Sequence, residues 1–470
     1  MSFRIAILSL IVLAVAVYAW RDWFKALCGL IVMMAFIEHP DMPKSLFGLQ
    51  GLNPWNLLMC NILLAWWMGR QREGLAWDLP RHINLMLLIY LGVVIVGFVR
   101  MMADRAYMDG LTTEYLISEH LINSIKWVVP GLLLYDGCRT RKRVLTGMIS
   151  ILAVYLLLAV QVTRWMPAST AVSGASLTSR ARKLLMNEVG YSSVNMSMML
   201  AGASWAVLAT LPLVKRRKYK VLIVLAGVGV AFAQALTGGR MGYVTWGAVG
   251  LILCLVRWRK YLLLAPLVPI FVMVVLPGTA ERMLQGFGRA AVTGKMVIDD
   301  YEVTSGRSLI WPYVIDKIME SPIVGYGRQA MLRTGLQDRL WRELGESFPH
   351  PHNAYLEMLL DNGLIGFMLV LPFYGLVVVY SMRLFVNRHS ALYSAVGGVS
   401  LALVLALLVA SIGSQTFYPR EGAVGMWGAF CLMFRTSVAR ERRRAALPRQ
   451  PREPAAAEPL PQFAGAVVPV

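Results

Sequence analysis

Charged side chains are scarce in this chain, and their scarcity limits what the protein can be. They make up 15% of the 470 residues, whereas hydrophobic residues make up 57%, and the mean hydropathy is +0.58. A soluble domain of this composition would aggregate, because too few polar side chains remain to cover its surface. The composition therefore excludes an ordinary soluble protein and predicts one that crosses a membrane many times.

Cysteines and acidic residues are also few. Acidic residues number 26 against 46 lysines and arginines, which gives a net charge of +20 at pH 7. That excess would suit nucleic acid, but the basic residues cluster in short loops between apolar runs, as in membrane proteins. Membrane lipids, and not nucleic acid, are therefore the expected partners.

The five cysteines are scattered without a Cys-x-x-Cys pair, so neither a zinc site nor a disulfide framework is indicated. They are Cys28, Cys60, Cys138, Cys254 and Cys431.

Thirteen apolar segments are candidates for membrane-spanning helices, which need about 17–25 residues each. The first two and the last are short, so we expect an all-α polytopic protein with about 12–13 transmembrane helices. No convincing cleavage site follows Ile5 to Tyr18, which predicts a retained helix rather than a signal peptide. The segments, with approximate bounds, are 5–20, 24–37, 54–69, 83–101, 121–137, 144–162, 193–214, 221–237, 242–256, 261–277, 354–380, 391–410 and 422–435.

Five basic segments predict the orientation. They fall on one side if the helices alternate, and the positive-inside rule assigns that side to the cytoplasm. The count leaves open whether the N-terminus lies inside or outside. The five segments are residues 139–143, 215–220, 257–260, 383–389 and the chain from Arg440 onward.

The segments that then face outward include the largest soluble part of the chain. They are about 163–192, the turn around Gly238–Arg240, and the long loop 278–353. We expect residues 1–439 to form one membrane domain that includes this loop. Residues 440–470, which are rich in Arg, Pro and Ala, are predicted to be a disordered cytoplasmic tail.

Two of the six histidines lie at the end of the long outward loop, in His350-Pro351-His352-Asn353, just before the apolar run from Met358 to Tyr380. Imidazole is the side chain best suited to move a proton near neutral pH. The pair is also compatible with a metal site, but a third ligand at an obvious spacing is missing. The sequence therefore favours proton transfer at the outer surface of the membrane.

Arginines next to glycines in the outward segments predict an anion site. Arg240 follows two glycines between apolar runs, and Arg307 follows Gly306 at a predicted helix start. The guanidinium group binds phosphate oxygens in a bidentate manner, and the start of a helix favours an anion. Taken singly, each arginine is more typical of an interfacial anchor, and the basic cluster at residues 180–183 is more typical of a solvated helix face. Other outward cations that would add to the same diphosphate-binding surface are Arg164, Arg180, Arg182, Lys183 and Arg328.

Together these motifs resemble the bacterial O-antigen ligase and O-antigen polymerase family. His352–Glu357 followed by Asp361–Gly366 is similar to the family's His-Asn motif, which leads into a helix with a Gly-x-x-Gly pattern. Ser305–Trp311, followed by Ser321–Gly327, resembles its Ser-Gly-Arg segment. Thr237–Arg240 resembles the arginine that opens a mid-chain membrane helix. The order of the motifs also matches, and the resemblance is strongest over residues 190–435.

The resemblance implies a membrane glycosyltransferase of the C-type, metal-independent, inverting and without a cofactor. Its donor would be a glycan on undecaprenyl diphosphate, used at the periplasmic face of the bacterial inner membrane. Arg240 and Arg307 would hold the diphosphate and stabilise the charge on the leaving group. His352 would orient or deprotonate the acceptor hydroxyl. His350 is the alternative base, and the orienting residues would be Asn353 and Glu357.

The acceptor divides the family. Ligases use the lipid A core, whereas polymerases use a second lipid-linked repeat. The basic outward surface would suit either acceptor, and the ligase is the leading expectation. A transporter of lipid-linked oligosaccharides would also have about a dozen helices, but it should carry charges near the bilayer midplane and show two related halves. We see neither in the sequence.

Overall fold

A computed structural model describes residues 3–46, 49–167, 169, 174–289, 296–299, 304–413 and 416–446. Within these residues the chain is almost entirely α-helical, which confirms the predicted all-α class. Two short antiparallel hairpins are the exception. They pair Ser45–Leu46 (β1) with Leu49–Gln50 (β2), and Phe287–Arg289 (β3) with Met296–Ile298 (β4).

The α-helices are numbered in chain order. They are α1 Phe3–Ala19, α2 Trp23–Met33, α3 Pro54–Arg72, α4 Arg81–Ala103, α5 Thr113–Ile117, α6 Asn123–Lys126, α7 Val129–Gly137, α8 Arg141–Trp165, α9 Gly174–Glu188, α10 Ser193–Leu208, α11 Arg217–Leu236, α12 Arg240–Val256, α13 Leu267–Val275, α14 Pro277–Leu284, α15 Arg307–Glu320, α16 Ala330–Arg333, α17 Leu336–Leu344, α18 Ala354–Phe385, α19 Ala391–Ala410 and α20 Val424–Ala446. A π-helical turn, Ser118–Ile122, lies between α5 and α6.

Each of the thirteen predicted spans coincides with helical residues, but fewer are full-length membrane helices. Among the described residues, six helices are long and apolar enough to cross a membrane: α4, α8, α10 with the turn that follows it, α11, α18 and α19. The count becomes seven if α13 and α14, bent by 115°, form one span. The helices α1, α2 and α12 are apolar but shorter. The polytopic architecture is therefore confirmed, whereas about half of the 12–13 expected spans meet the criterion of length and composition.

Helix α19 is the most buried of these six helices and lies among α10, α12, α18 and α20. Small residues allow this position. A Cβ atom added to Gly397 of α19 would lie 2.6 Å from the Cβ of Leu384, and one added to Gly202 of α10 would lie 2.6 Å from the Cβ of Ala406. Membrane helices gain packing contacts where small residues let backbones approach closely. The bundle is therefore built around α19.

The long helix α18 is interrupted at Gly363, where φ is 63° and ψ is −169°. Such a break frees backbone groups that the interior of a membrane cannot solvate. The 321–328 segment of the outward loop supplies their partners. The amide of Tyr326 donates to the carbonyl of Leu360 (2.9 Å), and the amide of Leu364 donates to a carbonyl of the segment (2.8 Å). The outward loop is thus hydrogen-bonded directly into the broken helix.

Ion pairs at Asp78 extend the last helix beyond the predicted start of the tail. Asp78 pairs with Arg435 and Arg442 of α20, at 2.6 and 2.8 Å. Because these contacts hold α20 against the bundle, the helix passes Arg440 and ends at Ala446. The first seven residues of the predicted tail, 440–446, are thus helical, and the domain boundary stays a prediction. Residues 447–470 lie outside the described residues, and their disorder stays a prediction.

Replacing Gly363 by alanine is expected to destabilise the protein. A Cβ atom there would lie 2.3 Å from the backbone oxygen of Ile323, and a positive φ alone costs a side chain about 1–2 kcal/mol. We expect Gly363→Ala to lower the melting temperature in detergent by at least about 1–2 °C. Gly375→Ala is the matched control, because it lies on the same helix and an added Cβ would meet no atom within 4 Å. Equal melting temperatures for the two variants would contradict this account of the break.

Candidate active site

The two histidines of the His-Pro-His sequence lie side by side just before α18. The ring centroids of His350 and His352 are 4.1 Å apart. His352 has a φ of 53°, a left-handed conformation that is uncommon for a residue with a side chain. The indole Nε1 of Trp311 donates to the carbonyl of Pro351 at 3.1 Å. Because Trp311 lies one helical turn after Arg307, this bond holds the histidines against the first turn of α15.

Both imidazoles are partly buried, and burial is the main reason that their pKa values are low. Burial lowers the pKa of His350 to about 4, and the positive charges of Arg420 and Arg307 lower it further. Burial lowers the pKa of His352 to about 3, with additional effects of His350 and Arg307. Since the ordinary value is about 6.5, both rings are neutral at pH 7. A neutral imidazole can accept a proton.

Asn353 caps the helix that follows the histidines. Its side-chain oxygen accepts hydrogen bonds from the amides of Tyr355 (3.0 Å) and Leu356 (3.3 Å), at the N-terminus of α18. Asparagine is among the preferred residues for this position. The sequence predicts that Asn353 orients a histidine, and the structure shows it fixing the backbone immediately after His352.

Arg240 and Arg307 are the first residues of α12 and α15, and the structure brings them together. Arg240 donates to the hydroxyl of Ser305 (2.5 Å) and to the carbonyl of Gln285 (3.1 Å), and Ser305 is two residues before Arg307. Burial and the positive charge of Arg240 lower the pKa of Arg307 to about 10, so both guanidinium groups stay charged at pH 7. Two cations held close at helix N-termini form a suitable site for an anion.

Arg420 is a third arginine near the histidines, and the sequence did not predict it. It follows α19, and its charge acts on His350 and on Glu357. Glu357, in the first turn of α18, is hydrogen-bonded to Thr416. The predicted orienting residue Glu357 therefore lies beside the 416–420 segment. Arg420 lies close to a glycine, Gly422, as Arg240 does, but its segment was not among the outward segments predicted from the sequence.

Arg328 lies beneath the predicted positive surface rather than on it. Only 9% of this residue is exposed. Its guanidinium group donates to the carbonyl of His120 (2.5 Å) and to the hydroxyl of Ser124 (2.6 Å), and it lies 4.2 Å from the ring centre of Tyr418. Arg328 therefore connects the outward loop to the π-helical turn and α6, a geometry that directs its charge into the protein.

Arg180 and Arg182 are exposed on α9, next to the turn that carries Arg240. The contact between the two elements is close, because a Cβ atom added to Gly238 would lie 3.5 Å from both the side chain of Leu177 and the backbone of Thr178. Helix α9 thus lies close to the turn that carries Arg240, and its residues Arg180 and Arg182 are exposed.

The positive charge at this site comes from arginines. Within the described ranges, no group of three or more His, Cys, Asp and Glu residues is arranged to hold a metal ion. The arrangement can therefore bind an anion through guanidinium groups and accept a proton on a neighbouring neutral imidazole.

Comparison with known proteins places these residues in one family segment. The O-antigen ligase family model matches residues 222–371. The exopolysaccharide production protein ExoQ of Rhizobium meliloti is 29% identical over 104 residues, which are 21% of each chain. A Rickettsia conorii protein named "Putative polysaccharide ligase" is 26% identical over 191 residues, which are 37% of this chain and 42% of that protein. The chain thus spans about a fifth and two fifths of these relatives' lengths.

The matched segment contains the Arg240 turn, the start of α15 and the His-Pro-His sequence, which are the three motifs that predicted the resemblance. Residues 222–371 are therefore similar to the O-antigen ligase family over the part of the chain that carries the candidate site.

Proposed function

We propose that the protein is a membrane glycosyltransferase of surface polysaccharide synthesis. It transfers a glycan from undecaprenyl diphosphate to an acceptor hydroxyl, at the periplasmic face of the bacterial inner membrane. The observation that carries the proposal is the placement of two neutral histidines beside the paired arginines Arg240 and Arg307, within the family segment. The first group accepts a proton, and the second binds the diphosphate.

In the proposed reaction the acceptor oxygen attacks the anomeric carbon of the donor sugar. A bond forms between that oxygen and the carbon, and the bond from the carbon to the phosphate oxygen breaks. His352 takes the hydroxyl proton, and undecaprenyl diphosphate leaves with the electron pair. Arg240 and Arg307 stabilise the negative charge that develops on this leaving group. A single displacement inverts the anomeric carbon.

The proposed mechanism is metal-independent. The arginine pair supplies two positive charges where the diphosphate binds, and guanidinium groups hold phosphate oxygens with defined geometry. The exposed residues Arg180 and Arg182 add long-range attraction for the anionic donor, which salt would screen.

The leading proposal is an O-antigen ligase whose acceptor is the lipid A core, and a polymerase that joins lipid-linked repeats is the alternative. The names of the two relatives support both activities, since one is called a polysaccharide ligase and the other an exopolysaccharide production protein. Deletion of the gene followed by gel analysis of the surface polysaccharide separates them. A ligase mutant shows bare core with polymer retained on the lipid carrier, whereas a polymerase mutant shows core with a single repeat or loses the secreted polymer. A transporter would move the donor without forming a glycosidic bond in purified vesicles.

His352→Ala is expected to lower the rate of glycan transfer by at least about 100-fold, because a general base contributes about 10²–10⁴-fold. The measurement is product formation from extracted lipid-linked donor in vesicles that contain equal amounts of folded protein. His350→Ala is the matched comparison, and it should retain more activity. Full activity of His352→Ala with loss in His350→Ala would transfer the role of base to His350.

Arg240→Lys and Arg307→Lys are each expected to raise the KM for the lipid diphosphate donor by about 10-fold or more, because an ammonium group cannot reproduce a bidentate contact. The KM for the acceptor should change little. Arg216→Lys at the start of α11 is the control, since it conserves charge on an exposed residue in a loop that is predicted to be cytoplasmic. A donor KM that is the same in all three variants would return both arginines to the role of interfacial anchors.

The low pKa values of the histidines predict how the rate depends on pH. The base is the neutral ring, and a pKa of about 3–4 keeps the ring neutral well below pH 6.5. The acid limb of kcat/KM, which reports the free enzyme, should therefore lie below pH 5. The acid limb of kcat, which reports the enzyme with bound substrate, should lie at higher pH. A bound diphosphate offsets the charge of Arg307, and the pKa of the neighbouring histidine rises as a result. A half-maximal kcat/KM near pH 6.5 would show that the base has an ordinary pKa.

A further inference from the structure

A cleft lies close to the first turn of α18, and Arg420 is part of its wall. It is a partly open cavity of about 60 Å³ between α8, α10, α18, α19, α20 and the segment 416–423, which is room for several water molecules. Its walls are mainly apolar, with methionine, leucine and alanine side chains, and they include a few aromatic and polar groups: Tyr155, Tyr191, Asn195, Tyr418, Arg420 and Trp427. That mixture is typical of sites that bind a polar ring through its faces and its hydroxyls.

Two polar side chains of the cleft have no hydrogen-bond partner among the described residues. Tyr155 is only 2% exposed, and its hydroxyl makes no hydrogen bond within the ranges that the structure describes. The guanidinium group of Arg420 forms neither a hydrogen bond nor an ion pair there, although its charge acts on His350 and Glu357. Neither group belongs to the fully buried polar atoms that lack a partner, so both are accessible from the space of the cleft. A ligand in this cleft would supply the missing acceptor and donor groups.

One hydrogen bond relates the cleft to the histidines. Thr416, in the cleft wall, is hydrogen-bonded to Glu357, whose backbone amide donates to the carbonyl of Asn353, the residue after His352. Arg420, also in the cleft wall, is close enough to His350 for its charge to act on that ring. The cleft therefore lies next to the segment that carries the histidines.

We infer that this cleft binds a sugar ring of the acceptor and that Arg420 binds an anionic substituent of the same acceptor, a phosphate or a carboxylate. This inference rests on the proposed function. A hydroxyl-bearing ring satisfies the Tyr155 hydroxyl, whereas the polyprenyl chain of the donor would leave it unpaired. The carboxylate or phosphate pairs with Arg420 in the bidentate manner of guanidinium groups. The acceptor hydroxyl is then held beside the histidines.

The test measures two-substrate kinetics of the full-length protein in vesicles, with lipid-linked glycan as donor and rough lipopolysaccharide as acceptor. Tyr155→Phe and Arg420→Gln should each raise the KM for the acceptor by about 10-fold or more, with the KM for the donor unchanged. Arg388→Gln, at an exposed residue of a segment that is predicted to be cytoplasmic, is the matched control for loss of an arginine charge. An unchanged acceptor KM in both variants would overturn the inference, and a raised donor KM would assign the cleft to the donor's lipid chain.

Modified acceptors identify the anion. In one experiment the phosphates of the rough lipopolysaccharide are removed, and in the other its carboxylates are reduced. The treatment that removes the group bound by Arg420 should give Arg420→Gln and the unmodified protein the same KM for the acceptor. If the two KM values still differ after both treatments, Arg420 does not bind an anionic group of the acceptor. If the unmodified protein forms no product, the proposed function fails by itself. Direct binding of the rough lipopolysaccharide to the detergent-solubilised protein, compared with Tyr155→Phe, then still decides whether the cleft holds this sugar.

Discussion

The break of α18 at Gly363 is the constraint on which the rest of the structure depends. A helix that crosses a membrane must satisfy its backbone groups within the protein, and here the 321–328 segment satisfies them. The inserted segment fixes the parts of the outward loop that come before and after it in the chain. Helix α15, which begins with Arg307, comes immediately before the inserted segment. The His-Pro-His sequence leads into the same helix that the segment enters, so one insertion brings the cation and the histidines together.

A buried polar network extends this constraint to the segment that carries Arg420. The hydroxyl of Tyr418 donates to a carboxylate oxygen of Asp361 (2.9 Å) and accepts from the side-chain amide of Asn362 (2.7 Å). The other oxygen of Asp361 accepts from the amide of Ala330 (3.1 Å). Because each group is partnered, the network can specify one arrangement of the elements it joins. Arg420, two residues after Tyr418, is thereby held at a fixed place relative to α18.

Local patterns in the sequence predicted the helices and three motifs of the site, because hydropathy and glycine–arginine pairs report on a residue's immediate surroundings. Residues whose role depends on distant partners were less predictable. The sequence predicts Arg328 to be one more outward cation, yet it is buried by Ser124 and Tyr418, which lie far from it in sequence. The end of α20 depends in the same way on Asp78. Arg420 carries no local mark beyond its neighbouring glycine, and only the fold places it beside His350.

In the proposed reaction the arginines also control when the base becomes effective. Before the donor binds, the charge of Arg307 adds to burial and keeps the imidazoles neutral. A diphosphate bound between Arg240 and Arg307 offsets that charge, so the pKa of the neighbouring histidine rises. A higher pKa makes the histidine a stronger base at the moment when the acceptor proton must move. Since burial remains the larger cause of the low pKa, the base stays neutral and ready to accept that proton. Activation of the acceptor is thus coupled to the presence of the donor.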